Sequence, residues 1–181
     1  MIKSPETFFL KYSFMKVLFP GLLSLFLLAC GEQSAQEPPQ AKLAGGPCEG
    51  CEAIFEYGNK KLKPVDTLSD FSSNGPKLKV TGHIYMPDGK TPAVNVILYI
   101  YHTDQLGLYR HRTDATGWEK RHGSIRGWIK TDRSGSYAFY TLKPGTYPSR
   151  SEPAHIHATL LEPNGNYYYL KEWHFKNDPL L

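Results

Sequence analysis

The chain has 181 residues and a formal net charge of +4, a length that suits one domain with its own hydrophobic core. Its Lys and Arg residues form no basic block and its apolar residues form no heptad pattern, which argues against nucleic acid as a partner and against a coiled coil. The 12 Tyr, 9 Phe and 3 Trp, together with 16 Gly and 14 Pro, are typical of an all-β domain with many turns.

Residues 1–29 have the pattern of a secretion signal. A lysine-containing stretch precedes an almost wholly apolar run from Val17 to Ala29, which is shorter than the roughly 20 residues that a membrane-spanning helix needs. The run ends in Leu-Leu-Ala-Cys and resembles a bacterial lipobox, which implies cleavage before Cys30 and a diacylglycerol on its sulfur. We therefore expect lipid chains to anchor the mature protein in the bacterial cell envelope, facing the periplasm or the exterior. The alternatives are an ordinary signal peptide, or a buried apolar segment with a chance cysteine.

Two further segments precede the predicted domain. Residues 30–47 are rich in Gln, Glu, Pro and Ala and are interpreted as a flexible tether. Residues 48–77 form a connecting segment in which Cys48 and Cys51 make a C-x-x-C pattern. In an oxidising compartment we expect these cysteines to close a small disulfide loop, and a redox or metal-binding role is the less favoured alternative. Residues 52–57 are expected to form a turn or a brief strand.

Residues 78–181 read as a series of short strands. Apolar, β-branched and aromatic runs alternate with turn signals such as Pro-Asp-Gly-Lys, Asp-Arg-Ser-Gly and Pro-Asn-Gly-Asn. The predicted strands cover residues 78–86, 93–102, 125–131, 136–141, 155–162 and 167–175. Strands and turns at this spacing predict an all-β sandwich or barrel.

A His-x-His pair begins the fifth predicted strand. Side chains at positions i and i+2 of a strand share one face, so His155 and His157 can converge on one metal ion. The pair alone is a weak signal, because short motifs also arise by chance. Two tyrosines strengthen it: Tyr109 ends an Asp-Gln-Leu-Gly-Leu-Tyr turn, and Tyr147 lies in Pro-Gly-Thr-Tyr-Pro shortly before His155.

The order of these motifs resembles that of the intradiol ring-cleavage dioxygenases, the protocatechuate- and catechol-cleaving type. The resemblance spans residues 78–179, and Pro-Ala-His-Ile-His preceded by Pro-Gly-x-Tyr-Pro is its most specific part. The matching segments are Gly82–Ile84, Asp104–Tyr109, Arg126–Gly127, Thr131–Phe139, Pro144–Pro148 and Pro153–His157.

The resemblance implies a β-sandwich of the intradiol dioxygenase type that holds Fe³⁺ with Tyr109, Tyr147, His155 and His157. Two phenolates and two neutral imidazoles are a donor set that suits Fe³⁺. The implied reaction cleaves a catechol-type aromatic diol with O₂ to a muconate-type diacid. Tyr147 is the implied labile ligand, and its freed phenolate is the candidate general base.

The chain departs from the family pattern at one charged position. Family members usually carry Arg three residues before the first ligand His, where it balances charge on the substrate; here that residue is Glu152. Arg150 and Arg126 are the candidates to take over this role. Because a carboxylate repels an anionic substrate, a neutral catechol is favoured over one that carries a carboxylate. Glu172 also replaces a common Gln, and the matched region ends early.

Two alternatives remain open from the sequence. Residues 82–147 also look like a carboxypeptidase-regulatory or transthyretin-like β-sandwich, a non-catalytic binding module of the cell surface, but that class does not explain the His-x-His pair. The second alternative is a dioxygenase homologue that binds iron and does not turn over, which Glu152 suggests.

Overall fold

A computed structural model describes residues 40–181. The predicted signal peptide, the lipidation site Cys30 and most of the predicted tether lie outside the described residues. Among residues 40–181, no helix is long and apolar enough to cross a membrane.

Eight strands and two short helical segments make up the described part of the chain. The strands are β1 Lys42–Leu43, β2 Val65–Thr67, β3 Lys77–His83, β4 Ile97–Tyr101, β5 Arg126–Lys130, β6 Ser136–Leu142, β7 His155–Leu161 and β8 Asn166–His174. A 3₁₀ helix covers Cys51–Phe55 and α1 covers Glu119–His122. All six predicted strands are confirmed, whereas residues 52–57 belong mostly to the 3₁₀ helix.

The strands form two sheets. The larger sheet has the order β1-β8-β7-β4-β5 and the smaller one the order β2-β6-β3. The core between them contains Leu98 and Ile100 of β4, Ile156 and Ala158 of β7, and Phe139 of β6. The prediction of an all-β sandwich is therefore confirmed.

The larger sheet is covered on its outer face as well. Tyr99 of β4 and Trp128 of β5 pack there against Cys51, Ala53 and Ile54 of the 3₁₀ helix. Burial on both faces explains why β4 reads as a continuous apolar run instead of an alternating one. The outer face therefore holds a second small core.

The connecting segment covers part of this outer face. Cys48 and Cys51 form a disulfide bond. The Cys51 Sγ atom lies 3.9 Å from Thr159 Oγ1 on β7. Because His157 lies two residues before Thr159 on the same strand, the disulfide loop packs close to the His-x-His pair.

Candidate metal centre

The start of β7 brings the two predicted histidine ligands together. His155 and His157 point to the outer face, and their Nε2 atoms lie 3.1 Å apart. His157 stands opposite Tyr101 of β4, so the pair faces the loops that follow β4 instead of the core between the sheets.

Two interlocking loops deliver the tyrosines. The Asp104 carboxylate accepts hydrogen bonds from the backbone N–H groups of Leu106 and Leu108 at 2.8 and 3.0 Å, and these bonds close the turn before Tyr109. Gly107 has φ 78° and lies so close to the Thr146 carbonyl that a side chain would collide with it. The Asp-x-x-Gly-x-Tyr and Pro-Gly-x-Tyr motifs thus describe two loops in direct contact.

Four donor atoms meet where these loops cover the start of β7. Tyr109 Oη lies 2.9 Å from Tyr147 Oη and 2.9 Å from His157 Nε2. Tyr147 Oη lies 3.2 Å from His155 Nε2. Together with the contact between the two imidazoles, these contacts arrange two phenol oxygens and two imidazole nitrogens in a closed ring of four donor atoms.

The hydrogen-bond partner of the Nδ1 atom determines which ring nitrogen of a histidine carries the proton. His155 Nδ1 lies 2.8 Å from the Pro153 carbonyl, to which it donates its proton, so the Nε2 lone pair points into the ring of donors. Burial, and then the neighbouring His155, lower the pKa of His157 to about 4, so this imidazole is neutral near pH 7. The neutral His157 can direct its Nε2 lone pair to the same point as His155, where one cation could bind both nitrogens.

The phenols fit such a cation. Burial raises the pKa of Tyr109, and its hydrogen bond with Tyr147 adds to the effect; burial also raises the pKa of Tyr147. Neither phenol therefore ionises near pH 7 unless a bound cation stabilises the phenolate. Donors that each lie about 2 Å from one ion stand about 3 Å apart, which matches this ring. Two phenolates and two imidazoles are also a donor set that suits Fe³⁺.

The phenols supply half of the donor atoms in this ring. Over the stretch that the structure describes, no group of three or more His, Cys, Asp or Glu side chains is arranged to hold a metal ion. The donor atoms that lie beside the two histidine nitrogens are the phenol oxygens of Tyr109 and Tyr147.

A family model described as dioxygenase matches residues 54–181, which is more than two thirds of the chain. The chain belongs to the intradiol dioxygenase family. It is 30% identical over 142 residues to the beta chain of protocatechuate 3,4-dioxygenase from Burkholderia cepacia, and the match covers 69% of this chain and 58% of that protein. The chain thus spans less than two thirds of the length of this relative.

Solved structures agree with this assignment. The dioxygenase domain of a dioxygenase and carbohydrate-binding protein fusion from Streptomyces sp. SirexAA-E is 26% identical, with a TM-score of 0.51 over 78% of this chain and 77% of that chain. Catechol 1,2-dioxygenase from Acinetobacter sp. ADP1, inhibited by bound mercury, is 26% identical, with a TM-score of 0.53 over 76% of this chain and 45% of that chain. The predicted family is confirmed, which favours the dioxygenase over the carboxypeptidase-regulatory alternative.

Two aromatic side chains of this intradiol dioxygenase family member contact the donor ring directly or through one another, and neither has a local sequence signal. The Tyr101 ring stacks on His157 at 4.5 Å between centroids and on His122 at 3.8 Å. The buried His122 is held in place from behind, because its Nδ1 lies 2.9 Å from Tyr99 Oη. Neither Tyr101 nor His122 is among the site residues predicted from the sequence.

The structure separates the two predicted catalytic arginines. Arg126 is largely buried, donates to Glu56 at 2.6 Å and lies 3.6 Å from Glu119. Arg150 is exposed on the loop after Tyr147, with φ 53°, and its backbone N–H donates to the Tyr147 carbonyl at 2.8 Å. The charge of Arg126 is thus balanced by two carboxylates, and the catalytic role of either arginine stays a prediction.

Proposed function

We propose that this intradiol dioxygenase holds one ferric ion with Tyr109, Tyr147, His155 and His157 and cleaves a catechol-type aromatic diol with O₂ to a muconate-type diacid. The observation that carries the proposal is the closed ring of donor atoms, whose sides measure 2.9, 3.2, 3.1 and 2.9 Å. When bound, the ferric ion supplies a Lewis-acidic centre that takes up the deprotonated diol and makes its ring reactive toward O₂.

The two phenols have different roles in this proposal. Tyr109 follows the loop that Asp104 and the buried Gly107 hold in place. Tyr147 precedes three exposed residues, 148–150, so its loop is held by Gly145 on the side before Tyr147 and is open to solvent on the side after it. Tyr147 is therefore the phenol that moves aside for the substrate, and its freed oxygen accepts a proton from the diol.

The charges around the site favour a neutral diol. Arg126 forms ion pairs with Glu56 and Glu119, so its guanidinium group is not free to bind a carboxylate of the substrate. Glu152 on the loop between the ligands and Glu172 on β8 both add negative charge, and their fields contribute to the raised pKa of Tyr147 after burial. Catechol or hydroxyquinol is thus expected to bind better than protocatechuate.

Spectroscopy of the purified chain starting after Cys30 tests the metal site. Phenolate-to-iron charge transfer is expected to colour the iron-loaded protein burgundy, and Tyr147→Phe is expected to shift or bleach this band and to abolish O₂ uptake with catechol. Tyr140→Phe is the matched control, since Tyr140 lies on β6 and packs edge-on against Phe71. An unchanged spectrum in Tyr147→Phe would contradict the ligand assignment.

Glu152 favours a second candidate, an iron-binding homologue without turnover. Oxygen uptake with catechol, hydroxyquinol and protocatechuate separates the two candidates, because only the enzyme consumes O₂ while both carry the visible band.

We also propose that a lipid on Cys30 attaches the protein to the bacterial cell envelope. The lipobox-like sequence supports this proposal. Loss of the protein from the membrane fraction in a Cys30→Ser variant is the measurement that tests it.

A further inference from the structure

β8 carries one extra residue opposite the candidate ligand His157. Ile156 pairs with Trp173 and Ala158 with Leu170, so two residues of β8 stand against His157 alone. Such a bulge re-aims side chains and is frequent beside active sites. Leu170 and Trp173 both pack into the core between the sheets, and the extra residue leaves Glu172 free to turn toward His157.

The bulge places a carboxylate behind the imidazole. Glu172 Oε1 lies 4.0 Å from His157 Nδ1, and the Glu172 side chain is 33% exposed. This is the nitrogen that faces away from the ring of donors, because His157 Nε2 contacts Tyr109 Oη at 2.9 Å. A negative charge thus stands on the outer side of His157, partly shielded from water.

The hydroxyl group of Tyr169 contacts the same nitrogen, His157 Nδ1. Tyr169 lies on β8 opposite Thr159, and its Oη atom is 3.2 Å from His157 Nδ1. With the Nε2 lone pair directed at the candidate metal, Nδ1 carries the ring proton and donates it to Tyr169 Oη. The Glu172 carboxylate lies on the same side of the imidazole, 4.0 Å from this Nδ1 atom, so its negative charge favours the proton on Nδ1.

We propose that Tyr169 and Glu172 are positioning residues, which hold the plane of the His157 ring and make its Nε2 atom a stronger donor to the metal. The inference rests on the proposed iron centre. A hydroxyl and a carboxylate behind Nδ1 fix the tautomer of a ligand histidine and raise its basicity, and loss of such partners costs about 10–100-fold in metal affinity. Neither residue is required to touch the substrate.

The same hairpin contains a matched pair for comparison. Tyr168 Oη donates to Glu162 Oε1 at 3.0 Å, near the turn that joins β7 to β8 and at the end of β7 opposite to His155. Tyr168 lies on β8 like Tyr169, and Glu162 is partly buried like Glu172, but this second Tyr–Glu pair has no contact with a candidate ligand.

The experiment compares the two pairs in the iron-loaded chain starting after Cys30. Tyr169→Phe and Glu172→Gln are each expected to weaken iron binding about 10–100-fold in competition with a chelator. Their visible band is expected to move to longer wavelength, because a weaker histidine donor makes the ferric ion a better acceptor of phenolate electrons. The double variant is expected to lose little more iron affinity than either single variant, since both residues act through His157. Glu172→Asp is expected to keep more of the iron affinity than Glu172→Gln. Tyr168→Phe and Glu162→Gln leave affinity and band unchanged.

The outcomes separate this inference from the proposed function. Absence of iron binding in the unmodified chain overturns the proposed function itself. Iron binding and a visible band that are the same in Tyr169→Phe, Glu172→Gln and the unmodified chain overturn the positioning role alone. Equal losses in all four variants, with unfolding at lower urea, also overturn it, because they show general weakening of the hairpin.

Discussion

Replacing Gly50 with alanine tests how the disulfide loop supports the candidate metal centre. Gly50 has φ 85°, and a Cβ atom there would lie 2.5 Å from His122 Nε2 and 3.2 Å from Trp118 Cζ3. His122 stacks on Tyr101, which stacks on the candidate ligand His157. The added methyl group therefore pushes on a stack that ends at the metal site.

Two separate costs make up the expected loss of stability. A non-glycine residue in the left-handed region costs about 1–2 kcal/mol, and forcing His122 aside costs about 1–3 kcal/mol. Gly58→Ala is the matched control, since Gly58 has φ 56° and a methyl group there would meet no atom of the described residues within 4 Å. Gly58→Ala therefore pays only the cost of the left-handed backbone conformation, without a steric clash. The effect of alanine on the entropy of the unfolded chain is the same in both variants and cancels when they are compared.

Urea unfolding of both variants and of the unmodified chain measures these costs. Gly50→Ala is expected to lose about 1–3 kcal/mol more free energy of unfolding than Gly58→Ala, and its iron band is expected to shift while that of Gly58→Ala does not. If the two variants unfold within about 0.5 kcal/mol of each other, the close packing of Gly50 on His122 is refuted.

Two further predictions concern Arg126 and Cys30. Arg126→Met is expected to lower the free energy of unfolding by about 1–3 kcal/mol, because Glu56 loses its ion-pair partner in a partly buried site, whereas Glu119 keeps its ion pair with Arg112. Urea unfolding measures this, and a variant as stable as the unmodified chain would speak against it. Cys30→Ser is expected to move the full-length protein from the membrane to the soluble fraction of cells, and unchanged fractionation would exclude lipid attachment at this residue.

Local sequence signals were sufficient for much of the fold. Each of the six predicted strands has its own apolar run between turn residues, and such signals depend on residues that are neighbours along the chain. β1 and β2 have two and three residues, too few for a pattern of their own. They exist because Lys42–Leu43 finds a partner in β8 and Val65–Thr67 one in β6.

The candidate ligands could be predicted for a similar reason. His155 and His157 lie two residues apart on one strand, and Tyr109 and Tyr147 each end a short motif that contains a glycine. Family resemblance added the statement that these turns belong to one site. The contact of Gly107 with the Thr146 carbonyl provides the physical basis, since it locks the two turns together.

The sequence by itself determined which elements form and which four side chains are candidate ligands, because strand alternation and turn chemistry depend on neighbours along the chain. Only the tertiary structure decided what stands behind those ligands. Tyr101 stacks on His157, and His122 stacks on Tyr101. Tyr169 and Glu172 reach His157 from β8 by strand pairing and a bulge. Such contacts between distant segments depend on register and packing, which no local pattern encodes.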